Sequence, residues 1–273
     1  MTGILVQGSN GEAQLLSRDE RKQAISLTRR TLDENGYNSI LVIAGTGAQS
    51  TRETKQLCKD AFEAGASHAL VLTPSTWPKY MSTENILRFH RDVADASPIP
   101  TMIYNFPTVT AGQDLDSDVI SALAAHPNIV GTKLSCGNIG KLHRLASKWD
   151  AAEFAVFAGR SDLLVHGLLS GSSGAIAALV NILPKLHVRL YSLWKEGHLQ
   201  EAMGLQTELG HADWAISKIG GIGGVKAIVS KHWSYGGFTV RGPLKPVNID
   251  GFSGNNHLEV LEKLIESEKA LML

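Results

Sequence analysis

Disulfide pairs, membrane spans and an excess of either charge are all missing from this sequence. Its two cysteines, Cys58 and Cys136, lie far apart and form no CxxC pair. That excludes a disulfide scaffold and a cysteine-rich zinc site, and it fits a reducing compartment. Basic and acidic side chains number 26 each, so the formal net charge is zero. Without a positive excess there is no counterion release to draw on, which argues against a nucleic-acid partner. Residues 1–8 carry neither a basic start nor a long apolar core, so no signal peptide is expected. The most apolar long stretch, 174–190, is interrupted by Asn181, Pro184, Lys185 and Arg189 and is too broken to cross a bilayer. These absences lead to the expectation of a soluble, cytoplasmic protein with no membrane partner.

Several catalytic signatures are absent as well. The ten histidines show no HExxH and no ligand cluster, so no metal is expected. There is no GxSxG elbow, and Cys136 has no assigned base, which makes it a passive thiol. Gly220–Lys226 is glycine-rich but has neither the P-loop nor the dinucleotide spacing, so it reads as a helix-to-helix turn and no cofactor is implied.

What is present is an ordinary globular balance, 43% hydrophobic and 19% charged, which rules out a disordered chain. Short apolar runs without alternation recur at 3–6, 40–44, 69–72, 101–104, 129–132, 154–157 and 175–180. Such runs suit strands buried on both faces of a parallel sheet. Between them lie segments with helical spacing. Ser17-Arg18-Asp19-Glu20 has the capping-box pattern, Thr51–Thr54 and Ser82–Glu84 open two more helices, and Gly36, Gly65 and Gly140 read as stops or turns. The alternation implies right-handed βα units, in either a (β/α)8 barrel or an open doubly wound sheet. After Pro184 only helices are expected, at about 185–195, 199–217, 224–233 and 255–271. The expected organisation is a barrel over 1–184 with helices of 185–273 packed on it. Seven strands are found where a closed barrel needs eight.

Lys133 ends the run Ile129–Thr132, where a barrel strand delivers side chains to the active face. A desolvated lysine gains a neutral amine that can attack a carbonyl; otherwise it is a strand-tip lysine reaching water. Tyr104 ends a neighbouring strand and could move a proton beside an imine, or be a core aromatic with a satisfied hydroxyl. Gly8-Ser9-Asn10-Gly11-Glu12 follows the first strand and offers donors for a carboxylate, or is an ordinary βα loop.

Gly8–Glu12, Tyr104-Asn105-Phe106-Pro107 and Gly131-Thr132-Lys133-Leu134-Ser135 occur in order, followed by Gly174–Ile176, Val180-Asn181, Val225–Ala227 and Pro243–Pro246. Together they resemble the dihydrodipicolinate synthase/N-acetylneuraminate lyase family of class I pyruvate aldolases over nearly the whole chain. The resemblance implies a (β/α)8 TIM barrel with a C-terminal helical extension. It also implies a Schiff base between Lys133 and a keto acid, proton transfer by Tyr104, and carboxylate binding at Ser9 and Asn10. It places the Ile176 carbonyl, Gly159, Ser161 and Asp162 along the substrate. A pyruvate-type keto acid as ligand, no cofactor or metal, and a homodimer or homotetramer are implied with them.

Departures narrow the branch. The synthase branch carries an arginine two residues after the proline of Tyr-Asn-x-Pro, where this chain has Val109, and a tyrosine pair after Thr-Pro, where it has Ser75-Thr76. Both point away from dihydrodipicolinate synthesis. Val6–Glu12 looks more like the 4-hydroxy-2-oxoglutarate aldolase and 2-keto-3-deoxy-sugar-acid aldolase branches, the latter including L-threo-3-deoxy-hexulosonate aldolase. Schiff-base hydratases or dehydratases, and a truncated relative with little activity, are the other readings. Family members begin with a strand and helix before the Gly-Ser-x-Gly-Glu strand. This chain starts on that strand, so the expectation is a barrel lacking its first strand and helix.

Overall fold

The computed structural model describes residues 1–271. Seven strands are found among them: β1 (Gly3–Val6), β2 (Leu41–Gly45), β3 (His68–Leu72), β4 (Thr101–Asn105), β5 (Ile129–Leu134), β6 (Ala155–Ala158) and β7 (Gly174–Ala175). They form one sheet in chain order, β1 to β7, with β1 to β5 paired in parallel. Between them lie α1 (Arg18–Glu34), α2 (Thr51–Glu63), α3 (Thr83–Ala96), α4 (Ser117–Ala124), α5 (Ile139–Ala146) and α6 (Leu164–Leu169). Four helices follow: α7 (Pro184–Lys195), α8 (Leu199–Lys218), α9 (Ile222–Trp233) and α10 (Asn256–Ala270). Among the described residues no helix is long and apolar enough to cross a membrane.

Short polar side chains start these helices because they satisfy first-turn N–H groups that have no partner within the helix. At α1 the expected capping box forms: the Ser17 hydroxyl accepts from the Glu20 N–H at 3.3 Å, and the Glu20 carboxylate accepts from the Ser17 N–H at 2.8 Å. Ser50, Ser82, Asp116 and Asn138 cap α2 to α5 with a side-chain oxygen that accepts from a first-turn N–H, without the return bond of the box. Gly36 and Gly65 end their helices at positive φ, as expected. Gly140 does not: it lies in the first turn of α5, where the Asn138 cap has already started the helix.

The described residues form two compact units, one of residues 1–157 with 170–173 and one of 158–169 with 174–271. In the first, Val42, Ala44, Ala69 and Val71 of β2 and β3 pack with Ile25, Cys58, Ala61, Phe89 and Val93 from α1 to α3. β2 and β3 are thus apolar almost throughout because helices cover them. In the second, Leu179, Leu183, Leu190, Leu209, Ile228 and Leu261 share one core. There the buried Glu268 carboxylate of α10 accepts from the Lys185 and Leu186 N–H groups at 2.7 and 2.8 Å, meeting the positive end of α7.

The apolar run 175–180 is strand only at its start: Ala175 belongs to β7, 176–177 are linker, and a 3₁₀ turn takes Ala178–Asn181. Its Leu179 is fully buried, so the run is apolar for packing in the second unit and not for strand pairing.

Candidate active site

Parallel pairing sets Tyr104 of β4 directly beside Lys133 of β5. The register reaches this match through a bulge: Thr101 faces Ile129, but Met102 faces Gly131, leaving Val130 as the extra residue. Gly131 has to be glycine here. A Cβ on it would stand 2.5 Å from the Ala155 carbonyl oxygen and 3.4 Å from the Met102 methyl. The bare backbone lets β6 approach, and β5 continues to deliver Lys133 at its far end.

Both residues are nearly enclosed, Lys133 at 6% and Tyr104 at 4% exposure. The Lys133 Nζ lies 4.3 Å from the centre of the Tyr104 ring. Phe106 stacks on that ring from elsewhere, with centroids 5.7 Å apart and planes 28° apart. Among the described residues, no side chain hydrogen-bonds the amine or the phenol, and no carboxylate pairs with the amine. A buried lysine without a carboxylate is a poor stability device. Here the amine lies over the face of the Tyr104 ring.

Ser9 and Asn10 lie in a 3₁₀ turn at Ser9–Gly11, entered through extended Gly8 after β1. Gln7 and Glu12, which bracket this turn, both sit in the left-handed region, at φ 63° and 56°. Such a conformation costs a non-glycine residue about 1–3 kcal/mol and persists only where neighbours enforce it. Here Gln7 Nε2 donates to the Arg21 carbonyl at 2.5 Å, and the buried Arg21 guanidinium donates to the Ala13 carbonyl. α1 thereby braces the loop from behind. The Ser9 hydroxyl is buried and has no hydrogen-bond partner among the described residues. Asn10 is exposed. An unsatisfied buried hydroxyl is costly unless something else is meant to bind it.

The remaining expected site residues belong to the second unit. Ser161 is fully buried. His187 fixes its use: the His187 Nδ1 contacts the Leu183 carbonyl at 2.6 Å, so Nδ1 carries the proton, and the Ser161 hydroxyl donates to Nε2 at 2.8 Å. Burial holds His187 at about 4, hence neutral. The Asp162 carboxylate receives both Arg160 Nε at 3.1 Å and Nη2 at 2.5 Å. Asp213 lies 3.7 Å from Arg160, and burial with the nearby Asp162 charge pushes it up to about 6. Gly159 precedes this cluster, directly after β6, and the Ile176 N–H donates to the Ala158 carbonyl at 2.9 Å. Lys133, Tyr104, Ser9 and Asn10 therefore share one unit, and Gly159, Ser161, Asp162 and Ile176 the other.

Sequence reasoning missed the residues that hold these groups: Gln7 and Arg21 behind the Ser9 turn, Phe106 on Tyr104, and His187 and Gln206 around Ser161. Gln206 bridges the Val165 N–H at 2.7 Å and the Ser161 carbonyl at 3.0 Å.

Residues 1–257 match the Dihydrodipicolinate synthetase family. The chain belongs to that family. A protein of Emericella nidulans named "Probable 4-hydroxy-2-oxoglutarate aldolase, mitochondrial" is 48% identical over 236 residues, spanning 86% of this chain and 76% of its own. The L-threo-3-deoxy-hexylosonate aldolase of Aspergillus niger is 38% identical and spans 99% of this chain and 87% of its own. In structure, a dihydrodipicolinate synthase family protein from Coccidioides immitis matches at TM-score 0.84 and 35% identity, covering 100% of this chain and 86% of that one. YagE from Escherichia coli K12, solved with pyruvate, matches at TM-score 0.84 and 28% identity, covering 99% of this chain and 88% of its own. The parallel sheet with its helices is the TIM-barrel-like α/β fold of this family.

Proposed function

We propose that this chain is a class I aldolase, a carbon–carbon lyase that cleaves a 2-keto acid into pyruvate and an aldehyde. The pairing of Tyr104 with Lys133, both enclosed and neither with a side-chain hydrogen bond among the described residues, carries the reading. Lys133 Nζ attacks the keto carbon, and loss of water leaves a protonated imine. The Tyr104 phenol gives its proton to the departing water as the protonated imine forms, and the phenolate left behind then takes the proton from the hydroxyl on C4. The C3–C4 electron pair then flows into the imine, the aldehyde leaves, and an enamine remains. Proton return to C3 and hydrolysis release pyruvate and the amine. The imine is the electron sink, and the tyrosine moves the proton. Ser9 and Asn10 are the carboxylate site in this scheme, and the unpaired Ser9 hydroxyl supports it.

The substrate we favour is a 2-keto-3-deoxy sugar acid, in line with the Aspergillus niger relative that spans nearly this whole chain. A second reading, 4-hydroxy-2-oxoglutarate, draws on the 48% identical Emericella nidulans protein. Assembly as a homodimer or homotetramer goes with either, and sedimentation of the purified chain tests it. A substrate panel separates the two: the sugar acids should turn over with the higher kcat/KM. With Val109 in place of a basic side chain, aspartate semialdehyde should be a poor partner for pyruvate. Efficient condensation with it would overturn the aldolase reading in favour of the synthase.

A further inference from the structure

Among the described residues no hydrogen bond fixes either polar end of the Lys133–Tyr104 pair, so something else must set the phenol's position. The sequence after Tyr104 shows what does. Consecutive strand residues point to opposite faces, so Asn105 turns away from Tyr104 and is almost fully buried. Its Oδ1 accepts from the Leu115 N–H at 3.0 Å, and its Nδ2 donates to Asp114 Oδ1 at 2.7 Å. One side chain, just before the loop 106–114, thus ties down the loop's far end. The same Asp114 oxygen accepts from Lys141 Nζ, in the first turn of α5. Lys141 is held in turn, since its N–H donates to the Asn138 cap at 2.8 Å. The Ser135 N–H donates to the Asn105 carbonyl at 2.9 Å, carrying the β4–β5 ladder past Lys133. The segments that follow the two reactive residues therefore meet at one carboxylate. Phe106, the first residue of the fastened loop, is the ring stacked on Tyr104.

The Lys141 side chain is 4% exposed, against 43% for Asp114. An ion pair that buries its cation while its partner stays half-exposed is weak support for stability. Its place in the fold gives a better reason for it. We propose that Lys141 is a positioning residue: through Asp114 and Asn105 it fixes the loop 106–114, and through Phe106 it holds the Tyr104 hydroxyl for the proton transfer of carbon–carbon cleavage. The inference rests on the aldolase reading above.

The test separates the two. Borohydride reduction of the unaltered protein with pyruvate, trapping Lys133, establishes the aldolase reading; no trapping would end that reading before Lys141 is tested. Given trapping, Lys141→Met should leave the rate of imine trapping close to the parent's and lower kcat for cleavage by about 10²-fold, the effect of a small misplacement. Lys141→Arg should recover most of kcat. In a Tyr104→Phe background, Lys141→Met should add almost no further loss, because the group it positions is gone. Should Lys141→Met fold poorly, Lys141→Met with Asp114→Asn removes the stranded charge and should show the same kcat loss. Full additivity with Tyr104→Phe, equal loss of imine formation and cleavage, or undiminished kcat would each overturn the proposal.

Discussion

Two serines in this chain look alike in sequence and differ in what surrounds them. Ser9 follows β1 and Ser161 follows β6, each in a short 3₁₀ turn after a strand and a glycine. Ser161 has its hydroxyl on His187 and its carbonyl on Gln206. Ser9 has a buried hydroxyl with no partner among the described residues. The same contrast runs through the charged groups: Asp162 is held by Arg160, while the Lys133 amine lies over an aromatic face with no hydrogen-bond partner among the described residues. Ser161 and Asp162 thus use their polar atoms within their own unit, while the Ser9 hydroxyl and the Lys133 amine have no hydrogen-bond partner among the described residues.

The sharpest way to break this comparison is to remove the unsatisfied amine. Lys133→Arg keeps the charge but not the nucleophile, so cleavage should vanish while the thermal unfolding curve stays near the parent's. Tyr104→Phe comes next, with a loss in turnover of about 10²–10⁴-fold and a smaller loss in imine formation. The serines should then part ways. Ser9→Ala should raise KM for the keto acid by about 10-fold, the worth of a hydrogen bond to a charged group, with little change in stability. Ser161→Ala should do the reverse: it strands the His187 ring nitrogen and should cost about 1–3 kcal/mol in denaturant unfolding, with kcat/KM nearly unchanged. A KM effect at Ser161 larger than that at Ser9 would invert the argument.

Acid should sharpen the contrast more gently. Burial lowers His90 and His187 to about 4, so each binds its proton more readily unfolded than folded. Their contributions are complete above the ordinary histidine value and are lost as pH falls from about 6.5 through 4, by up to about 3 kcal/mol each. Asp213 has the opposite sign. Raised to about 6, it binds its proton more readily folded, so its ionisation penalty is relieved as pH falls through 6 toward 4. Thermal unfolding between pH 7 and 4.5 should show a net loss, and Asp213→Asn should steepen it.

Much of this was legible in local pattern. Ser17 and Glu20 announce a capping box because both partners lie within one turn, and continuous apolar runs announce strands buried on both faces. Lys133 and Tyr104 could be singled out as strand-end residues, and the motifs around them carried the family likeness. What stayed hidden depends on contacts between distant segments. Lys141 is 27 residues from Asp114, and Ser161 is 26 from His187, with nothing in the spacing to join them. The bulge at Val130 and the turn that replaces strand at 178–181 are tertiary decisions, made by the Ala155 carbonyl beside Gly131 and by the burial of Leu179.

The central claim is that Lys133 is the amine left free for a keto acid. The direct measurement is incubation with pyruvate, reduction with borohydride, and mass analysis of the digested protein. The account predicts the reduced pyruvyl adduct on the peptide containing Lys133, and no adduct in Lys133→Arg. An adduct on another lysine such as Lys141, or none on the folded protein, would contradict it.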